Sequence, residues 1–196
     1  MQYQKEDVRN RIVDAAKTEF LRVGYFRASM LQISNRAHVP IGNLYRYFAS
    51  KASLYDAIVG TAKERIIECI ENGKGISIEA DNLGGNSTKI IVNKASDGFL
   101  DLSKNYHKEI ILLTQKSGGS AYDGFINEVI GRIRELLKDR LGNLCNDSNE
   151  FLFDIVADNV TRGAFRILTE CPIEQQHDEI VKLLVFYFNH LEDRLY

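Results

Sequence analysis

Residues 41 to 47 set Gly42, Asn43, Tyr45, Arg46 and Tyr47 on the outward side of a short helical turn, with Leu44 and then Phe48 turned inward. An amide, two phenols and a guanidinium in that spacing contain no nucleophile paired with a base. What they can do is hydrogen-bond: a guanidinium and phenols to phosphate oxygens, an amide to a base edge. Ile41 opens the same turn with an apolar surface suited to a thymine methyl. No other stretch offers chemistry as coherent. The four histidines, His38, His107, His177 and His190, lie in no HExxH and near no cysteine at ligand spacing, so neither a metal nor a cofactor is expected. Cys69, Cys145 and Cys171 form no CxxC and are expected as small apolar fillers in a reducing compartment. The glycine-rich stretch 73–88 carries neither GxxxxGK[ST] nor GxGxxG and reads as a connecting loop, not a phosphate cradle. With no GxSxG or kinase signature either, the chain is not expected to be an enzyme.

The elements that must hold the polar turn are legible around it. Ser29 stands as a helix cap before Met30, Ile33 and Ala37 at helical spacing, which gives a helix over 30–37. His38 falls where the chain must bend sharply and is a residue type that tolerates positive φ. Pro40 is expected at the first position of the next helix, 41–48. Lys51, capped by Ser50, opens a long helix to about residue 72 with Leu54, Ile58, Ala62, Ile66 and Ile70 on one stripe. Upstream, residues 5–23 form an amphipathic helix with Ile12, Ala16, Phe20 and Val23 inside and Arg9, Arg11, Lys17 and Arg22 outside, ended by Gly24.

The segment from Ser29 to Lys51 resembles the helix-turn-helix of the TetR family of bacterial repressors, T-x-x-x-I-A-x-x-A-G-V-S-x-x-x-L-Y-x-H-F-x-x-K. Ile33, Ala37, Val39, Leu44, Tyr45, Phe48 and Lys51 match, and Ser29 takes the place of Thr. Ser34, His38, Pro40 and Tyr47 depart from it. Upstream the likeness runs through Ile12, Ala15, Ala16, Phe20 and Gly24-Tyr25, covering about 5–63. The resemblance implies DNA contacts from Ser29, Pro40, Ile41, Gly42, Asn43, Tyr45, Arg46, Tyr47 and Lys51, with Tyr45 and Lys51 on the sugar-phosphate backbone.

Charge divides in agreement with that implication. Residues 1–51 carry nine Lys/Arg against four Asp/Glu, while 52–196 carry sixteen against twenty-three. A basic end meets DNA and an acidic body is repelled by it. The expected fold is all-α with about nine helices: a three-helix DNA-binding bundle over 1–51 and a larger helical ligand-binding and dimerisation domain over 52–196. The polar start, MQYQKEDVRN, is no signal peptide, and no apolar run nears the roughly 18 residues of a membrane span, so a cytoplasmic protein is expected.

In the body, helices are expected over 89–102, 106–116, 121–141, 149–169 and 173–195, with a break near Asn105. The last is apolar on two faces, Ile180, Leu184, Tyr187 and Leu191 on one, Val181, Val185 and Phe188 on the other, which calls for a partner chain. The resemblance implies a homodimer through it, with Gly163 permitting close helix approach. A small-molecule site is also implied. Its expected walls are Phe99, Leu102, Tyr106, His107, Tyr122 and Phe125, with Asn159 as a buried amide that wants a partner. The leading reading is a dimeric repressor of a palindromic double-stranded DNA operator, released by a small organic ligand. The rivals are a DNA-binding protein without a small ligand, controlled by a protein partner or structural on the chromosome, and a helical enzyme.

Overall fold

The computed structural model describes the backbone of residues 2–74, 86–141 and 150–188, and the side chains of 5–72, 98–139 and 150–188. Within them the chain is all-α: α1 (Gln2–Arg27), α2 (Met30–Ala37), α3 (Ile41–Tyr47), α4 (Lys51–Lys74), α5 (Asn86–Gln115), α6 (Phe125–Leu141), α7 (Glu150–Glu170) and α8 (Ile173–Phe188). The expected count was one higher because 89–102 and 106–116 are one helix, interrupted at Tyr106 (φ −132°, ψ 17°) and not ended there. α1 likewise runs past its expected stop, carrying Gly24 at φ 78°, ψ 164° as an internal kink. Most of the expected 73–88 loop lies outside the described residues, and its last residues, 86–88, already belong to α5.

α6 starts four residues later than expected. Gly119 (φ 79°) and Gly124 (φ 92°) take left-handed backbone. Between them Asp123 accepts the Gly119 N–H at 3.0 Å and Ser120 Oγ accepts the Tyr122 N–H at 3.0 Å. These side-chain bonds satisfy the backbone as turns and remove the incentive to be helical.

Two compact units result, 1–63 with 108–125, and 64–107 with 126–196. The core of the first is Ile12, Phe20, Ile33, Leu44, Leu54 and Tyr55, all essentially without exposure. Tyr55 is its pivot: its ring meets Phe20 edge-on at 4.9 Å and Tyr25 at 5.0 Å, and its hydroxyl donates to the Leu112 carbonyl at 2.8 Å. Burial raises its phenol pKa and keeps it a neutral donor. The second unit packs Val160 and Ala164 of α7 on Ile180 and Leu184 of α8, and Ile130 and Leu137 of α6 on Phe153 and Ala157 of α7.

Candidate nucleic-acid interface

The helix-turn-helix closes as its residue types dictate. His38 is left-handed (φ 53°, ψ 43°), and the N–H groups of His38 and Val39 return to Asn35 O at 3.2 Å and Ser34 O at 3.1 Å. Pro40 sits one residue earlier than expected, as the N-cap of α3 (φ −53°, ψ 139°), and its carbonyl accepts from Asn43 at 2.8 Å and Leu44 at 3.0 Å. Ser29 has the extended backbone of an N-cap, but its hydroxyl makes no capping bond to α2. That corrects the capping role assigned to its side chain. Ser50 does cap α4, in a reciprocal box: Ser53 N–H donates to Ser50 Oγ at 3.0 Å and Ser50 N–H to Ser53 Oγ at 3.1 Å.

Leu44 and Phe48 anchor α3 in the core, and the outward set is where the spacing puts it. Pro40, Ile41, Gly42, Tyr45 and Arg46 are exposed, and Asn43 and Tyr47 are half-buried. Arg9 lies 5.4 Å from the Phe48 ring centroid, so its guanidinium sits beside the end of α3. Arg11 is spoken for, by Asp7 at 3.3 Å and the Ala37 carbonyl at 3.5 Å.

Lys51 departs from its expected place. Its ammonium donates to the carbonyls of Tyr25 at 2.8 Å, Ala28 at 3.1 Å and Phe26 at 3.2 Å, and lies 4.5 Å from the Tyr25 ring centroid. An ammonium has three N–H donors, and all three are engaged within the protein. In the chain without DNA the Lys51 ammonium is thus spent on internal carbonyls, where the resemblance implies a sugar-phosphate contact.

Glu19 went unrecognised in the sequence. It is 1% exposed, and it accepts from Arg22 at 2.8 and 3.2 Å and from Arg36 at 3.4 Å, joining α1 to α2. The Arg22 hydrogen bond outweighs desolvation and holds its carboxyl below the usual range. The signal was present: position 19 falls on the stripe of Ile12, Ala15, Ala16 and Phe20, where a carboxylate needs a cation within reach.

The expected ligand walls separate into different surroundings. Tyr122 bonds Asp56 through its hydroxyl and packs at 6.0 Å on Tyr55, and Phe125 is buried with the Lys63 ammonium 5.9 Å from its ring centroid, so both belong to the core of the first unit. In the second unit Phe99 packs on the α7–α8 cluster, Leu102 is buried, Tyr106 is half-buried, and His107 Nδ1 lies 2.8 Å from the Leu168 carbonyl. A carbonyl only accepts, so Nδ1 carries the proton. Asn159 is exposed, which corrects its assignment as a buried amide. Among the described residues, the buried uncharged oxygens of the second unit without a hydrogen-bond partner are instead Ser103 Oγ, Thr161 Oγ1 and Gln176 Oε1, while the buried Asp154 Oδ1 has the Arg134 guanidinium at 2.5 Å.

The residues expected at a dimer contact are placed as follows within the single chain. A Cβ on Gly163 would meet Leu183 at 3.2 Å, so Gly163 permits close approach of α7 and α8 of the same chain. Val181 and Phe188 are half-buried against their own core. Val185 remains exposed, and it is joined by Phe186 on α8 and by Phe151, Leu152 and Ile155 on α7.

Against known proteins, residues 12–58 match the model of a family described as bacterial regulatory proteins, tetR family. The HTH-type transcriptional repressor KstR of Mycolicibacterium smegmatis is 41% identical over 58 residues, 30% of this chain and 28% of that protein. The chain thus matches under a third of that relative's length. Among solved structures, a TetR-like transcriptional regulator from Rhodococcus sp. RHA1 superimposes with TM-score 0.63 at 20% identity, over 90% of this chain and 93% of its own. The SmeT–triclosan complex gives 0.61 at 16%, over 96% and 94%. At those identities the likeness is one of fold.

Proposed function

We propose that this chain, a member of the TetR family of bacterial regulatory proteins, is a sequence-specific DNA-binding transcriptional regulator, a cytoplasmic dimeric repressor that a small molecule releases from a palindromic operator. The observation that carries the reading is α3: a helix anchored by Leu44 and Phe48 that turns Ile41, Gly42, Tyr45 and Arg46 to solvent on the basic end of the chain. In this reading Asn43 and Ile41 face base edges, while Tyr45, Arg46 and Tyr47, with Ser29, Pro40 and Gly42 at the margins, lie along phosphates. Residues 1–51 read DNA, and 52–196 dimerise and hold the ligand.

Dimerisation is supported by Val185 and Phe186 on α8 and by Phe151, Leu152 and Ile155 on α7, apolar side chains left exposed where the two helices of one hairpin share an end. The ligand site is supported by the second unit's buried polar groups. Ser103, Thr161 and Gln176 are uncharged, and each keeps an oxygen without a partner among the described residues. Such atoms want a hydrogen-bonding guest. A neutral organic molecule with its own donors, lying near Phe99, Leu102, Tyr106 and His107, meets that need without bringing a charge into an apolar interior.

Two substitutions test the DNA face. Asn43→Ala is expected to cost about 1–3 kcal/mol on the preferred site and to relax selectivity at one base pair of each half-site. Arg46→Ala is expected to weaken binding to all sequences and to flatten the salt dependence by about one charge per half-site. Fluorescence anisotropy over a salt series measures both, and wild-type affinity for both variants would remove α3 from the interface.

A further inference from the structure

We infer that Lys51 is a positioning residue for DNA reading, an internal staple that sets the aim of the recognition helix and makes no phosphate contact of its own. The inference rests on the DNA-binding reading above and on one convergence: a single ammonium collects the carbonyls of Tyr25, Phe26 and Ala28 over the Tyr25 ring.

Those carbonyls belong to the last turn of α1 and to the link that leads into α2, and Lys51 is the first residue of α4. Gly24 interrupts α1 just before Tyr25, so these carbonyls fall at a break in the helical ladder, where a cation with several donors is favoured. One side chain therefore fixes three things at one point: where α1 ends, where α2 begins and where α4 starts. The recognition helix α3 is strung between α2 and α4, so its orientation follows from that point.

The backbone that presents Lys51 is itself held, by the reciprocal Ser50–Ser53 cap. From the other side the Tyr25 N–H donates to the Lys116 carbonyl at 2.8 Å, so the two peptide groups flanking the Tyr25 Cα are each held. A phosphate could recruit this ammonium only by drawing it off three carbonyls, of which that of Tyr25 would keep the Ala28 N–H at 3.3 Å. A phosphate ligand is defined by its charge, whereas a staple is defined by its three directed donors, and that difference can be measured.

The first measurement needs no DNA. Amine acetylation by acetic anhydride, followed residue by residue by peptide mass spectrometry on the folded wild-type protein, should find Lys51 among the slowest lysines, with protection lost on denaturation. Fast labelling in the free protein, with protection appearing only when duplex DNA is added, would overturn the inference. The second measurement uses Lys51→Met, which keeps the stem and deletes the donors. Affinity for the preferred operator should fall tenfold or more. The slope of log affinity against log salt should stay that of the wild type, and operators with half-sites one base pair closer or farther should be discriminated less sharply. A slope reduced by about one per half-site with spacing preference unchanged would identify a phosphate contact and overturn the staple. Unchanged affinity, slope and spacing preference would overturn it as well. If the wild-type protein binds no duplex, the DNA reading fails, and the labelling result still decides whether Lys51 is a staple.

Discussion

Phe186→Asp, alone or with Val185→Asp, should sediment as a monomer at micromolar concentration and lose specific operator binding by a factor on the order of 10³ or more. Phe186 is 68% exposed and Val185 39%, so a carboxylate at either position costs the isolated protomer little. Buried in a two-fold contact, the same carboxylates would be desolvated without a cation, and the symmetry would impose each charge twice. A monomer spans one half-site, so what remains is the salt-dependent, sequence-independent attraction of the basic end. Circular dichroism should report unchanged helicity, which separates loss of assembly from loss of fold. A dimer that survives Phe186→Asp would move the contact to another surface. Phe188→Asp is the poorer probe, because Phe188 packs on its own core and the charge would unfold the hairpin first.

Tyr55→Ala should destabilise the first unit by about 3–5 kcal/mol in urea denaturation. The ring is 1% exposed and sits against Phe20 and Tyr25, so its removal leaves a cavity bordered by rings that cannot close over it. Tyr55→Phe isolates the hydroxyl. It should cost much less, about 1 kcal/mol, because the Leu112 carbonyl still accepts from the Lys116 N–H at 3.2 Å. Equal losses for the two variants would mean that the hydrogen bond, and not the packing, holds the unit together.

Local chemistry was legible in the sequence; the partners of long side chains were not. His38 and Ser50 act through backbone groups within a few residues, and Leu44 and Phe48 needed only their apolar spacing to be placed inside. Lys51 acts through carbonyls more than twenty residues away, and a lysine at a helix start reads equally well as a phosphate ligand. The placing of Asn159 failed for a different reason. Apolar spacing marks Leu152, Ile155, Val156, Val160, Gly163 and Ile167 as one face of α7, whereas the buried residues are Phe153, Ala157, Val160, Thr161, Ala164, Phe165 and Leu168. Small residues there admit the neighbouring helices closely, and hydropathy counts them for little. The face is rotated by about one residue, which brings Thr161 inside and puts Asn159 outside. At 121–124 the Asp123 and Ser120 side chains bond the backbone more locally than a helix does, and apolar periodicity carries no sign of it.

The central claim is that α3 reads DNA as one half of a two-fold pair, and selection of bound duplexes from a randomised library by the wild-type protein tests it most directly. The account predicts enrichment of a single inverted repeat whose half-sites lie about 34 Å apart or somewhat more along the duplex. Asn43→Ala should recover the same repeat with one position per half-site degenerate. Enrichment of no motif, or of an undivided asymmetric one that Asn43→Ala leaves untouched, would contradict it.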